Sequence, residues 1–283
     1  MAESTETLPA QQAEKSTLDL ARPLDSPPPS PATPSSSDSG IWQHLTADVR
    51  PSVLAETELL ILTFCTGVQD AISFPDFHCF TSNQTGNTVF LALALVLPEA
   101  RGEMFVTSNI GVALGFFLAG GWLTGQLGHM FGPRCRLWLM ACNFVQACLV
   151  FAAAGIQYAH GVQLASTAVT LVAIGLLAFA AGSQVVQSRS LMMTEISTAM
   201  ATAAWVDLLI DPNLLALKNR PRNRRAAFLL TLFIGSLIGA VIYRAAGSAT
   251  AVVVSAAGKL LVAVLYLFNH ADKPKVESAE AAV

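Results

Sequence analysis

The chain has 283 residues, of which 53% are hydrophobic and only 12% charged, and its formal net charge is −3. A charged share about half that of an ordinary soluble domain excludes a water-soluble globular protein. The net charge itself says little, because in a membrane protein the position of each charge matters more than the total. Apolar runs of roughly 17–25 residues recur along the chain, the length a helix needs to cross a bilayer. The expected fold is therefore all-α, a polytopic transmembrane helix bundle with the lipid bilayer as its first partner.

Residues 1–52 read as a separate material. The run LDSPPPSPATPSSSDSG is rich in Pro and Ser and poor in large apolar residues, so it cannot bury enough surface to fold. No apolar stretch near Met1 resembles a signal peptide, so the expectation is a disordered cytosolic tail. Ser26, Ser30 and Thr33 each precede a proline and read either as phosphorylation sites or as parts of a plain spacer.

The transmembrane domain is expected over 53–270. Its first apolar run, about Glu58 to Phe74, is interrupted by Gly67, Gln69 and Asp70 and ends at a break led by Pro75. A polar cluster follows, with Asn83, Gln84, Thr85 and Asn87 around Gly86, and then a short apolar run from Val89 to Leu97, stopped by Pro98. Two full spans come next, about Phe105 to Leu127 and Leu137 to Ile156, joined by the Gly/Pro turn GHMFGPRCR that carries Arg134 and Arg136. A further run from Gln163 to Val186 leads into the polar-broken stretch SRSLMMTEISTAMATAAWVDLLIDP. After it lies a basic loop with Lys218, Arg220, Arg222, Arg224 and Arg225. Two last spans, about Ala226 to Tyr243 and Ala249 to Phe268, precede a short charged cytosolic tail, 271–283.

The two halves echo each other. Each has a span, a Gly-x-Gln step (Gly67-Val-Gln69 and Gly182-Ser-Gln184), a Thr-bearing polar segment, a short apolar run and two Gly/Ala-rich spans. This is the pattern of an internal repeat, a common plan for transporters. If the two short segments dip in and return, there are six full spans and the halves are inverted; if they cross, there are eight spans and the halves are parallel. With a cytosolic N-terminus, six spans place Arg134, Arg136, Arg189, the basic loop, Lys273 and Lys275 inside and leave Arg101 and Arg244 outside. That is the cleaner positive-inside count.

The stretch TGVQDAISFPDFHCFTSNQTGNTVFLALAL resembles the signature of the YoaK-type family of membrane proteins, a domain of unknown function. The second half resembles its fungal branch at Gly182, Gln184, Arg189, Glu195-Ile196, Thr198, Asp207, Asp211-Pro212 and the Asn219-Arg220-x-x-Asn223-Arg224-Arg225 run. The similarity covers roughly Leu59 to Phe268, with Ser197 standing where a proline is expected. It implies the architecture and no substrate.

Polar groups at membrane depth are costly and ask for a reason. Gln69, Asp70, Asn83, Gln84, Thr85 and Asn87 from the first half, and Gln184, Arg189, Glu195 and Thr198 from the second, are the candidate residues for binding a small solute and a coupling proton or sodium. Each also has a plain reading as an interhelical hydrogen bond. Arg189 is expected to pair with Glu195 across a bend, to meet Asp70, or to sit at the interface. Asp207 and Lys259 are intramembrane charges, with a mutual pair as one arrangement. The Gly-x-x-x-Gly spacings at Gly111/Gly115, Gly121/Gly125 and Gly235/Gly239 suit close helix packing, within the bundle or in a homo-oligomer. The basic loop suits anionic headgroups and fixes topology; held between spans, it does not suit nucleic acid.

Five cysteines without metal-site spacing read as reduced thiols, and neither a cofactor nor an enzyme motif is expected. The leading expectation is a secondary transporter of a small solute in an integral, multi-pass membrane setting. The alternative is a non-transporting scaffold or accessory subunit.

Overall fold

The computed structural model describes residues 38–97, 104–161 and 166–271. Ser26, Ser30, Thr33, Arg101, Lys273 and Lys275, and most of both expected tails, lie outside the described residues. Among those described the chain is helical: α1 (Asp38–Thr46), α2 (Val53–Phe77), α3 (Gln84–Val96), α4 (Thr107–Phe131), α5 (Arg136–His160), α6 (Ala168–Ser190), α7 (Ala201–Leu209), α8 (Arg220–Ala246) and α9 (Ser248–Leu265), the last extended by a 3₁₀ turn, Tyr266–Phe268.

Five of these, α4, α5, α6, α8 and α9 with its 3₁₀ turn, are long and apolar enough to cross a membrane. The 25-residue α2 is as long, and Gln69, Asp70 and Asp76 lower its hydropathy. At 1.5 Å per residue the 13 residues of α3 reach only about 20 Å and the 9 of α7 about 14 Å, short of a hydrocarbon core about 30 Å thick. The eight-span alternative therefore fails, and the frame is six long helices with two half-helices.

The first run is longer than its apolar residues suggest. Ser52 starts α2 by accepting the Ala55 amide at 3.2 Å. Pro75 lies inside the helix, and the break comes at His78, whose φ of 50° is left-handed. Asn83 then caps α3 by accepting from the Gly86 amide, so this half-helix begins in the polar cluster itself. In the second half Asn219 caps α8, with Pro221 in its first turn where a missing N–H costs nothing.

Hydrogen bonds between helix ends define two poles. At one, Arg224 of α8 meets Glu56 of α2 (Nε–Oε1 3.0 Å), Gln187 near the end of α6 donates to the Leu139 carbonyl of α5, and Asn269 after α9 donates to Glu58 of α2 at 2.6 Å. At the other, Asn109 of α4 donates to the Phe77 carbonyl at 2.9 Å, Ser108 meets Ser166, Tyr158 of α5 meets Thr250 of α9, and Ser248 donates to Asp76. The first pole carries Arg134, Arg136, Arg189 and the Lys218–Arg225 loop and is here named the basic end.

Helix α2 thus runs away from the basic end and its counterpart α6 runs toward it, so the two halves are inverted. The packing follows the same symmetry. α2 packs on α8 as α4 packs on α6, α2 on α9 as α6 on α5, and α5 packs on its own counterpart α9. Glycines set the two like crossings. A Cβ on Gly67 would sit 2.8 Å from the Ser236 nitrogen and 3.1 Å from the Gly235 carbonyl carbon of α8. One on Gly182 would sit 2.9 Å from the Phe117 carbonyl carbon and 3.1 Å from the Gly121 nitrogen of α4. No side chain fits where two backbones touch. Gly111 and Gly115, by contrast, face open space.

The expected disordered tail, 1–52, ends too late. Its described part holds α1 and a strap over residues 44–50 that is fixed to the basic end. Val49 is fully buried, its amide donates to the Arg134 carbonyl at 2.9 Å, and it bridges to Ala271. The buried Arg136 donates to the carbonyls of His44 and, at 2.6 Å, Asn269. Composition hid this contact because most of the strap's hydrogen bonds are made by its backbone groups, which have no sequence signature.

Candidate functional site

Between the halves lies a cavity of about 900 Å³. Its walls are built from both half-helices and the spans around them: Asp70 of α2, Ser82, Asn83, Gln84, Thr85 and Gly86 at the start of α3, Ala199 to Ala203 at the start of α7, and Phe117, Val185 and Leu232 from α4, α6 and α8. After α2 ends, the chain turns back along its flank far enough for Ser82 to reach Asp70, nearly two turns from the helix end. The Ser82 hydroxyl lies 2.7 and 2.6 Å from the two Asp70 carboxylate oxygens. From there α3 starts with its N-terminus at the cavity. The segment 191–200 makes the equivalent return before α7, with left-handed Met192 (φ 57°) and Thr198 (φ 59°) turning the backbone.

Two half-helix N-termini, one from each inverted half, therefore border the same cavity, whose wall also holds two carboxylates, Asp70 and the Arg225-facing Asp207. Helix N-termini present unpaired N–H groups and partial positive charge. The exposed Asn83 and Thr85 and the half-buried Gln84 add neutral hydrogen-bonding groups. Such a wall can hold a small polar solute, with Asp70 positioned for a proton or a small cation.

The structure divides the sequence candidates. Asp70, Asn83, Gln84, Thr85 and Asp207 line the cavity. Asn87 is fully buried and braces the turn instead: it accepts from the Phe80 amide at 2.9 Å and donates to the Phe80 carbonyl and to Gln84. Gln69 faces the other side of α2 and donates to Ser255 of α9 at 2.7 Å. Gln184 donates to Thr66 at 2.8 Å and to the Leu62 carbonyl. These three are packing groups. Thr198 is buried, and its hydroxyl reaches Ser188 at 3.5 Å.

Arg189 and Glu195 do not pair with each other, nor does Arg189 meet Asp70. Both line a second pocket, about 320 Å³, at the basic end. Glu195 turns to Arg224 (3.4 Å), and Arg189 donates to the Met200 sulfur at 3.6 Å. The Asp207–Lys259 pair does not form. Asp207, on α7, faces Arg225 at 3.8 Å, whereas Lys259 lies in the α9 face packed on α2, only 1% exposed. Lys259 donates to Gln184, a neutral acceptor, so α9 carries a buried cation whose hydrogen bond goes to an amide.

The basic loop is held by ion pairs and amides. Arg220 and Arg224 both donate to Glu56 (Nε–Oε1 3.0 Å each), and Arg222 donates to the Leu214 and Ala216 carbonyls at 2.5 and 2.7 Å. Asp211 accepts from the Asn219 side chain at 2.9 Å and the Asn213 amide at 2.8 Å. The Asn219 hydrogen bond, then that amide and the nearby guanidinium groups, hold its carboxyl below the ordinary aspartate range.

Sequence reasoning missed Ser82, Met200, Thr202 and the place of Arg225 in the pockets. Ser82 stood in plain view, one residue before the cluster. Its role depends on a reversal of the chain that no spacing rule reports.

No curated protein and no solved structure matches the chain. The profile of one family, described as protein of unknown function (DUF1275), matches residues 59–265. That interval takes in both half-helices, both Gly-x-Gln steps and all six long helices except the first turns of α2. The chain is a membrane-spanning helical protein that belongs to the DUF1275 family.

Proposed function

We propose that this protein is a secondary transporter of a small polar solute, and not an enzyme. The observation that carries the reading is the 900 Å³ cavity bounded by the N-termini of two half-helices from inverted halves, with Asp70 in its wall. Discontinuous helices meeting near the middle of an inverted repeat are the arrangement in which transporters hold substrate and coupling ion. Asp70 is the coupling group, binding a proton or sodium. Ser82 on both of its oxygens links its state to the α3 turn. The basic end faces the cytosol, as the excess of Arg and Lys there favours.

The test is flux. Purified protein in liposomes loaded with a cell metabolite extract is expected to exchange solute, and Asp70→Asn to remove the dependence on a proton or sodium gradient. If the wild-type protein moves neither solute nor proton, and Asp70→Asn leaves the cellular phenotype of the wild type intact, the transporter reading is wrong.

A further inference from the structure

The smaller pocket at the basic end, between the end of α6, the 191–200 return, α7 and α8, has a chemistry of its own. We propose that it binds the oxyanion group, carboxylate or phosphate, of a small solute. Its role as the inner vestibule of a transport route rests on the transporter reading, but its ligand chemistry does not.

Two acids and two bases line it, Glu195 and Asp207 with Arg189 and Arg225. Both acids already face guanidinium groups, Glu195 that of Arg224 at 3.4 Å and Asp207 that of Arg225 at 3.8 Å. The bases are not used up. Arg189 carries a fork of five donors, and its hydrogen bond goes to the Met200 thioether sulfur at 3.6 Å, a weak acceptor. Arg225 is ion-paired to Asp207 through Nε at 3.8 Å and to Asp211 through a terminal nitrogen at 3.6 Å, both too long for hydrogen bonds, and its buried Nε has no hydrogen-bond partner. Three hydroxyls stand in the same wall: those of Ser188 and Ser197 donate to the Val185 and Met200 carbonyls, and that of Thr194 is the third.

An incoming cation would have to displace Arg224 or Arg225 from its carboxylate. An incoming oxyanion meets the fork of Arg189 and the unpartnered Nε of Arg225, and guanidinium groups match carboxylate and phosphate in geometry. The volume, 320 Å³, is about ten waters at roughly 30 Å³ each, enough for phosphate or a short carboxylate. The pocket also shares Met200, Ala203 and Asp207 with the central cavity. Met200 stands at that junction with Arg189 on its sulfur, so an anion that draws Arg189 away releases the side chain between vestibule and cavity.

The same chemistry could be met by a free anion or by a lipid headgroup, and the experiment separates them. The full-length protein in lipid-free detergent is titrated with inorganic phosphate and with acetate, against sodium chloride at matched ionic strength, and its melting temperature is followed. In a second arm it is placed in phosphatidylcholine vesicles with and without phosphatidic acid. The expected result is saturable stabilisation by phosphate or acetate beyond chloride. Arg189→Gln shifts its midpoint about tenfold to higher concentration, and Arg189→Lys shifts it less.

Stabilisation by phosphatidic acid alone, lost in Arg189→Gln, assigns the same site to a headgroup. Arg189 is exposed and makes one weak bond, so Arg189→Gln is expected to fold; Arg225→Gln serves as the second variant. The proposal is overturned if no oxyanion stabilises beyond chloride in either arm, or if Arg189→Gln and Arg225→Gln both respond as wild type. Absence of flux with phosphate binding intact defeats only the transporter reading, and flux without oxyanion binding defeats only this one.

Discussion

Replacing Gly182 by Ala tests the inverted architecture at its tightest point. A Cβ there would lie 2.9 Å from the Phe117 carbonyl carbon, closer still to its oxygen, and 3.1 Å from the Gly121 nitrogen. Ordinary carbon contacts lie at about 3.5–4.0 Å, so α4 and α6 must part by about 0.6 Å or more. All the obstructing atoms are backbone, and none can swing aside. Overpacking of this kind costs about 1–3 kcal/mol, against a helix-propensity gain of about 1 kcal/mol for Gly→Ala.

The same change at Gly115, where nothing lies within 4 Å, keeps only the gain. The difference between the two variants is therefore about 1–3 kcal/mol, or roughly 2–12 °C in melting temperature. Detergent-solubilised protein, melted by fluorescence-detected size exclusion, reads it directly. Gly67→Ala on the symmetry-related crossing, 2.8 Å from the Ser236 nitrogen, is expected to match Gly182→Ala. Phe117 also lines the cavity, so flux is expected to fall together with stability in Gly182→Ala. If Gly182→Ala melts within a degree of Gly115→Ala, on the order of the assay's scatter, the close crossing of α4 and α6 is refuted.

Four other outcomes follow from three sets of contacts. Lys259→Met combined with Gln184→Leu, which replaces the buried cation and its acceptor together by apolar chains, is expected to be neutral or stabilising in a thermal melt. Gln184→Leu alone, which strips Lys259 of its acceptor, is expected to cost about 1.5–3 kcal/mol. Glu56→Gln removes the carboxylate shared by Arg220 and Arg224, both at Nε distances of 3.0 Å; a loss of about 1 kcal/mol is expected, shrinking in high salt. Asp211 has a folded-state pKa below the ordinary value, so its contribution to the 210–219 loop is fully present above the unfolded pKa and is lost as pH falls through the folded one. The protection of that loop's amides, measured as exchange relative to the intrinsic rate at each pH, is expected to fall on acidification in the wild type, with Asp211→Asn already poorly protected at neutral pH.

Some of this architecture was legible in the residues because the bilayer imposes length and polarity rules that act locally. The apolar runs marked the long helices, and the Gly67-Val-Gln69 and Gly182-Ser-Gln184 steps marked the repeat. Asp70 with Asn83–Thr85 marked one wall of the cavity. Gln69, Asn87 and Gln184 looked equally eligible and proved to be packing groups. On a helix, a shift of one residue turns a side chain by about 100°, and only the neighbouring helix decides whether it meets a cavity or a partner. Gln69 and Asp70 illustrate it: one faces Ser255 of α9, the other faces Ser82 and the cavity.

The sequence by itself determined a membrane-embedded helix bundle with two polar-broken segments, since burying backbone and avoiding charge in lipid leave few other solutions. Only the tertiary structure decided that those segments turn back instead of crossing, and that their N-termini border one cavity. It also decided which charges pair: Asp207 with Arg225 and not Lys259, Glu195 with Arg224 and not Arg189. The reason is physical. Those pairings join residues from different segments of the fold, whose separation along the chain carries no information about their distance in space.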